Sequence, residues 1–99
     1  MGTRAEVKAA LAAFAEKAPG RSVEIRIPPY GAIQAISGGP HRRGTPRAVV
    51  ECDGPTWLAL TRGELTWEQA LAEGRIDASG ERSDLSQWLP LTRASTNES

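Results

Sequence analysis

The segment from Asp53 to Leu91 reads DGPTWLALTRGELTWEQALAEGRIDASGERSDLSQWLPL, and it predicts short capped helices around one strand. The Asp53 side chain can accept hydrogen bonds from the free backbone N–H groups of a following helical turn. Pro55 occupies a position in the first turn where a helix tolerates proline. A helix is therefore expected to begin after Asp53, with apolar residues along one side, and to end at Gly63.

Two further elements follow in the same segment. The run Thr66-Trp67-Glu68-Gln69 forms a capping box for a second helix, which Gly74 ends. Residues 75–79 alternate around Ile76 and Ala78 and predict a short strand. Ser83 or Asp84 then caps a last helix that ends at Pro90 and carries three apolar residues on one face, Leu85, Trp88 and Leu89.

The first half predicts a helix and three strands. A capping box at Thr3 begins the helix, which has Phe14 as its main apolar anchor and ends at Pro19-Gly20. Residues 22–27 alternate as a half-buried strand. Residues 32–36 are apolar on both faces, which predicts a central strand covered on both sides. Residues 48–52 form a third strand. Together the two halves of the sequence predict an α+β fold with an antiparallel-dominated sheet of four to five strands and helices on one face.

Length and composition restrict the function. The 99 residues suit one domain, expected at 1–91 with a disordered tail at 92–99. Twelve basic and twelve acidic residues leave no excess positive charge, so nucleic-acid binding is not expected. The single cysteine, Cys52, excludes an internal disulfide and suits the cytoplasm. Charged residues near the N-terminus argue against a signal peptide or stable membrane insertion, and abundant Ala, Arg and Gly suggest a GC-rich bacterial genome.

The order of landmarks in the second half resembles the sterol carrier protein 2-like domains. The proline-rich turn and the sequence at 41–46 that precede Asp53 make the chain most similar to the short stand-alone actinobacterial members of that family. That pattern comprises an aspartate that opens a helix, a glycine stop, a second helix with an inward alanine, a short strand and a final leucine-bearing helix. These landmarks correspond here to Asp53, Trp57, Leu58, Leu60, Gly63, Leu65, Ala70, Gly74, Ile76, Ala78, Gly80 and Leu85. The resemblance implies a five-stranded sheet with an apolar tunnel between sheet and helices, which holds a fatty acid, acyl-CoA, sterol or similar lipid.

Large apolar residues of the two halves are candidates for the wall of such a tunnel. The predicted ligand-binding residues are Phe14, Ile36, Val50, Trp57, Leu60, Leu71, Trp88 and Leu89. Three tryptophans accompany one Phe and one Tyr, and core packing remains an alternative role for them. The loop residues His41, Arg42 and Arg43 concentrate positive charge and could hold a phosphate or carboxylate headgroup, although a solvated loop is the alternative.

No catalytic or metal-binding group is predicted, and no cofactor is expected. His41 is the only histidine, so a catalytic triad or a histidine-rich metal cluster lacks its parts. The carboxylate of Asp53 beside Cys52 disfavours a reactive thiolate. Two functions therefore remain from the sequence. One is a lipid-binding or lipid-transfer module; the other is a non-enzymatic structural or interaction domain with a filled core, which acts as a homodimer or as an enzyme accessory.

Overall fold

A computed structural model describes residues 3–37, 48–80 and 83–91, and over these ranges the chain is an α+β fold. Its helices are α1 (Thr3–Lys17), α2 (Gly54–Arg62) and α3 (Trp67–Ala72). Its strands are β1 (Val23–Ile27), β2 (Gly31–Ala35), β3 (Ala48–Cys52) and β4 (Ile76–Ser79). A single 3-10 turn spans Ser86–Trp88. The tail predicted at 92–99 lies outside the described residues.

The four strands of the described ranges form one mixed sheet in the order β2-β1-β3-β4. β1 pairs antiparallel with β2 and parallel with β3, and β3 pairs antiparallel with β4. The prediction of an antiparallel-dominated sheet is therefore wrong. The chain leaves β2 near the start of β1 and enters β3 on the other side of β1. Alternation along a strand determines which residues share a face, but it does not determine which strand lies next to which.

The prediction of a central strand at 32–36 is also wrong, because β2 lies at the edge of the described sheet. Ala32 and Gln34 are exposed and Ile33 is only half-buried. The low polarity of this run comes from alanine, which an exposed edge strand tolerates. The strand ends at Ala35, since Ile36 takes the left-handed backbone conformation with φ of 68°.

The predicted caps of α2 and α3 are confirmed. Asp53 Oδ1 accepts a hydrogen bond of 2.8 Å from the backbone N–H of Thr56, and Gly63 ends α2. Thr66 Oγ1 accepts a hydrogen bond of 3.0 Å from the backbone N–H of Gln69, and the Gln69 side chain completes the capping box. Interactions within four residues therefore determine where both helices begin.

The main core lies between one face of the sheet and the helices. β1 directs Val23, Ile25 and Ile27 into this core and leaves Arg26 exposed on the other face. The ring of Phe14 on α1 meets the ring of Trp57 on α2, with centroids 5.5 Å apart and planes tilted by 60°. This tilted contact is a favourable aromatic geometry, and it joins the two helices above the sheet.

The last predicted helix is a single 3-10 turn that belongs to a short C-terminal segment, residues 83–91. Pro90 has no N–H and its ring disfavours helical backbone just before it, so the turn cannot extend. The segment is held by the Leu91 N–H, which donates to the Thr61 carbonyl at 2.9 Å. Lys17 Nζ also donates to the Pro90 carbonyl at 3.1 Å. Among the described helices, none is long and apolar enough to cross a membrane.

Candidate apolar ligand site

Four of the predicted ligand-binding residues meet in the interior. Phe14 on α1, Val50 on β3 and Trp57 on α2 are completely buried, and Leu60 on α2 is 1% exposed. All four belong to the same core cluster. The structure therefore brings together side chains from α1 and from the distant but mutually adjacent elements β3 and α2, between the sheet and the helices, where the resemblance implies a ligand.

Ile36 extends this interior toward the end of β2. Its side chain is buried, and its backbone is held on both sides. The Ile36 N–H donates to the Ala18 carbonyl at 2.6 Å, and the Ser22 N–H donates to the Ile36 carbonyl at 2.9 Å. These bonds hold a β-branched residue in left-handed backbone, a conformation that is uncommon without such support.

The other three predicted apolar residues lie at the periphery. Leu71 is 45% exposed, so it does not face the sheet, and its prediction as a wall residue is not supported by its position. The helix α3 instead buries Trp67 and Ala70, and the next residue after Ala70 turns about 100° away around the helix. Trp88 and Leu89 are half-buried on the C-terminal segment and pack against the core from outside. The predicted headgroup residues, His41, Arg42 and Arg43, lie outside the described residues.

A polar network at the start of α2 was not predicted from the sequence. The fully buried Thr56 accepts a hydrogen bond of 3.2 Å from Arg75 Nε. Thr56 also lowers the pKa of Asp53, first through its side-chain hydrogen bond and then through its backbone N–H, and the nearby Arg75 charge acts in the same direction. The spacing of an N-cap predicts the contact between Asp53 and Thr56, whereas nothing local indicates that Arg75 joins them.

A surface cleft of about 280 Å³ lies beside this network, and four of its seven lining residues are charged. Its lining residues are Pro28, Glu51, Cys52, Asp53, Gly74, Arg75 and Asp77. Burial raises the pKa of the Cys52 thiol to about 12, with a further contribution from the Asp53 carboxylate. Cys52 is therefore a neutral packing residue at physiological pH and not a nucleophile.

The indole nitrogen of Trp57 is the most unusual polar atom of the interior. Trp57 Nε1 is buried, and none of the described residues supplies it with a hydrogen-bond acceptor. The other buried polar side chains are engaged, since Thr61 Oγ1 donates to the Leu58 carbonyl at 3.0 Å and Thr56 binds Arg75. A buried donor without an acceptor is rare in folded proteins, because its desolvation is not offset.

The sheet, the helices and this interior define a small α+β domain whose apolar residues converge between the sheet and two helices. The chain matches the family model described as Bacterial SCP ortholog over residues 2–91. It therefore belongs to this sterol carrier protein-like family, which confirms the resemblance found in the order of landmarks from Asp53 to Leu85. No curated protein matches the chain.

Proposed function

We propose that this protein is a non-enzymatic lipid-binding or lipid-transfer module. The ligand is a fatty acid, acyl-CoA, sterol or similar apolar molecule, held between the sheet and helices α1 and α2. The observation that carries this proposal is the family match over residues 2–91, together with an interior built of apolar residues from α1, β3 and α2. An apolar interior of this kind favours ligands that lose water-exposed hydrocarbon surface on binding.

The residues divide between a tail site and a headgroup site in this proposal. Phe14, Val50, Trp57 and Leu60 contact the hydrocarbon tail, and Ile36 lies at its β2 end. Trp88 and Leu89, which are half-buried, form the rim on the C-terminal side. In this proposal His41, Arg42 and Arg43 bind the charged headgroup, because charge-assisted hydrogen bonds to arginine suit phosphate and carboxylate. With a single cysteine in the chain, the proposed location is the cytoplasm.

A second candidate function is a structural or interaction domain with a filled core, working as a homodimer or as an enzyme accessory. The direct contact between Phe14 and Trp57, at a centroid distance of 5.5 Å, favours it, since these rings occupy space that a tail would otherwise use. Close packing of this kind is what stabilises a small domain that binds no ligand. The two candidates differ in whether the interior admits hydrocarbon.

The test is lipid binding by the purified protein, with a matched pair of variants on β3. Mass spectrometry of an organic extract identifies co-purifying lipid, and titration with fatty acids and acyl-CoA follows the change in tryptophan fluorescence. Val50 points into the core, whereas the half-buried Val49 lies on the opposite face of the same strand. Val50→Met places a longer side chain in the proposed tail site and should lower affinity at least about threefold, while Val49→Met should leave it unchanged.

The outcomes separate the two candidates. Saturable binding that Val50→Met weakens and Val49→Met does not supports the lipid module. Absence of both co-purifying lipid and any fluorescence change on titration rejects it and favours the filled core. Sedimentation analysis then tests the homodimer, which a monomer at high protein concentration would contradict.

A further inference from the structure

The buried indole N–H of Trp57 indicates the chemistry of the inner end of the ligand. We propose that Trp57 Nε1 donates a hydrogen bond to an uncharged oxygen of the bound lipid, such as a hydroxyl, a ketone or an ester carbonyl. This inference rests on the proposed lipid-binding function and adds to it a polar contact deep in the interior. Such a contact is distinct from the headgroup contact proposed at residues 41–43.

The surroundings of Trp57 explain why an acceptor must come from outside the described residues. Trp57 is completely buried and its Nε1 finds no acceptor there. Within the described ranges the buried polar residues are Thr56 and Thr61, and these already bond to Arg75 and to the Leu58 carbonyl. A buried water usually makes about three hydrogen bonds. One indole N–H in apolar surroundings therefore holds a water poorly, whereas a lipid oxygen needs only this one donor.

The same surroundings select a neutral oxygen over a carboxylate. The core cluster around Trp57 consists of apolar side chains. Of the arginines in the described part of the chain, Arg62 pairs with Glu6 and Arg75 binds Glu73 and the Thr56 hydroxyl, so neither offers an unpaired cation to this cluster. Burying a carboxylate without a cation costs far more than one hydrogen bond returns. A neutral carbonyl or hydroxyl has no such penalty and satisfies the indole donor.

The experiment compares two ligands of the same shape that differ only in the acceptor. Tetradecan-2-one and 2-methyltetradec-1-ene exchange a carbonyl oxygen for a methylene group, and both are delivered from cyclodextrin. Affinities are measured for the wild-type protein, Trp57→Phe and the control Trp67→Phe. Trp67 is also buried but lies on α3, which contributes no residue to the proposed tail site. The two ligands differ in water solubility, but this difference affects the ketone-to-alkene affinity ratio equally in every protein. It therefore cancels when the ratios of two proteins are compared.

The expected result is that Trp57→Phe lowers the ketone-to-alkene ratio by about threefold to tenfold, the range of one net hydrogen bond, while Trp67→Phe leaves it unchanged. An unchanged ratio in Trp57→Phe, with both ligands still bound, overturns this inference but leaves the proposed function in place. Failure of the wild-type protein to bind either these ligands or fatty acids overturns both.

A second measurement decides the question if Trp57→Phe does not fold. The three tryptophans give three indole N–H signals in a ¹⁵N-labelled wild-type sample. Contacts with aromatic-ring protons of Phe14 identify the signal of Trp57, because these two rings touch. The ketone should shift this signal downfield and slow its exchange with solvent, while the alkene should do neither. Identical responses to the two ligands would contradict the proposal.

Discussion

At the scale of single residues, Asp53 connects the start of α2 with the segment before β4. Its carboxylate accepts the Thr56 N–H at 2.8 Å, and the Thr56 hydroxyl in turn accepts from Arg75 Nε at 3.2 Å. The Thr56 side chain, then the Thr56 backbone N–H and the Arg75 charge favour the ionised carboxylate, so the pKa of Asp53 lies below its usual value. The helix cap is thereby joined to Arg75, which lies 19 positions after Thr56 in the chain.

Replacement of Asp53 should therefore have a pH-dependent effect on stability. Asp53→Ala removes the cap and should lower the free energy of unfolding by about 0.5–2 kcal/mol at pH 7, while Asp53→Asn, which keeps an acceptor, should lower it less. Since the folded pKa is depressed, the charge contributes stability above the unfolded pKa of about 4 and loses it as pH falls through the folded pKa. Urea unfolding at several pH values measures this. A difference between wild type and Asp53→Asn that persists unchanged into strong acid would contradict it.

Cys52 should be unreactive in the folded protein. Its side chain is 7% exposed and burial raises its pKa to about 12, so a thiol reagent at pH 8 should modify it only after denaturation. Above about pH 9 the unfolded chain loses the thiol proton and the folded chain keeps it, so stability falls with rising pH. The slope should be steeper than that of Cys52→Ala by about 1.4 kcal/mol per pH unit. Rapid labelling of the native protein would show that the thiol is accessible, and equal slopes would show that folding does not raise its pKa.

At the scale of elements, the junction between α1 and β2 depends on one close backbone approach. Gly20 has φ of 147°, and a Cβ atom there would lie 2.2 Å from the Ile36 carbonyl carbon. Ile36 cannot move away easily, because Ala18 and Ser22 bind its backbone on both sides. The end of α1, the start of β1 and the end of β2 are therefore fixed together at this point.

A matched pair of glycine substitutions tests this junction. Gly20→Ala should destabilise the protein by about 2–5 kcal/mol, from unfavourable backbone conformation plus the steric clash. Gly74 also has positive φ, of 70°, but a Cβ atom there meets nothing within 4 Å. Gly74→Ala should therefore cost only the conformational part, about 1–2 kcal/mol. Urea denaturation measures both losses, and equal losses would mean that the approach of Ile36 to Gly20 does not restrict the fold.

The sequence predicts elements well where the determining contacts are local. Asp53 with Thr56 and Thr66 with Gln69 act over three residues, and both helices begin where these pairs predict. The strand order depends instead on pairs such as Val23 with Ala48, far apart in the chain. Alternation has the same appearance in parallel and antiparallel strands, so the parallel pairing of β1 and β3 was not predicted. The last helix was predicted to be too long, because Leu85, Trp88 and Leu89 have helical spacing. Pro90 limits it to a single turn.

At the scale of the whole molecule, the interior could be predicted better than its periphery. Phe14, Val50, Trp57 and Leu60 are large apolar residues on faces that local periodicity identifies, and all four are buried. Leu71 has a similar local pattern, yet the choice between it and Ala70 depends on how α3 rotates against β4. Nothing in the sequence indicated that Trp57 Nε1 lacks an acceptor among the described residues, because hydrogen bonding in a core depends on every neighbour that packs there.

Leu60 and Leu71 form a matched pair for a prediction about the whole molecule. Leu60→Ala should lower the free energy of unfolding by about 2–5 kcal/mol, since Leu60 is 1% exposed and its truncation leaves a cavity in the core. Leu71→Ala should change it by less than about 0.5 kcal/mol, because 45% of that residue is already exposed. Urea denaturation of both variants measures the difference, and equal losses would show that α3 buries Leu71 after all.

The same pair distinguishes a lipid-admitting interior from a filled core when fatty acid is added. A ligand that binds only the folded protein raises its stability by about 2.7 kcal/mol at a free concentration of one hundred times Kd. If the interior admits the tail, wild type and Leu71→Ala should gain this stability equally, while Leu60→Ala should gain a different amount because its tail site has changed shape. In a filled core, wild type gains nothing, and any gain would be confined to Leu60→Ala, whose new cavity alone offers apolar space. If wild type and Leu60→Ala gain the same stability, the ligand binds away from α2, and this result would contradict the proposed site.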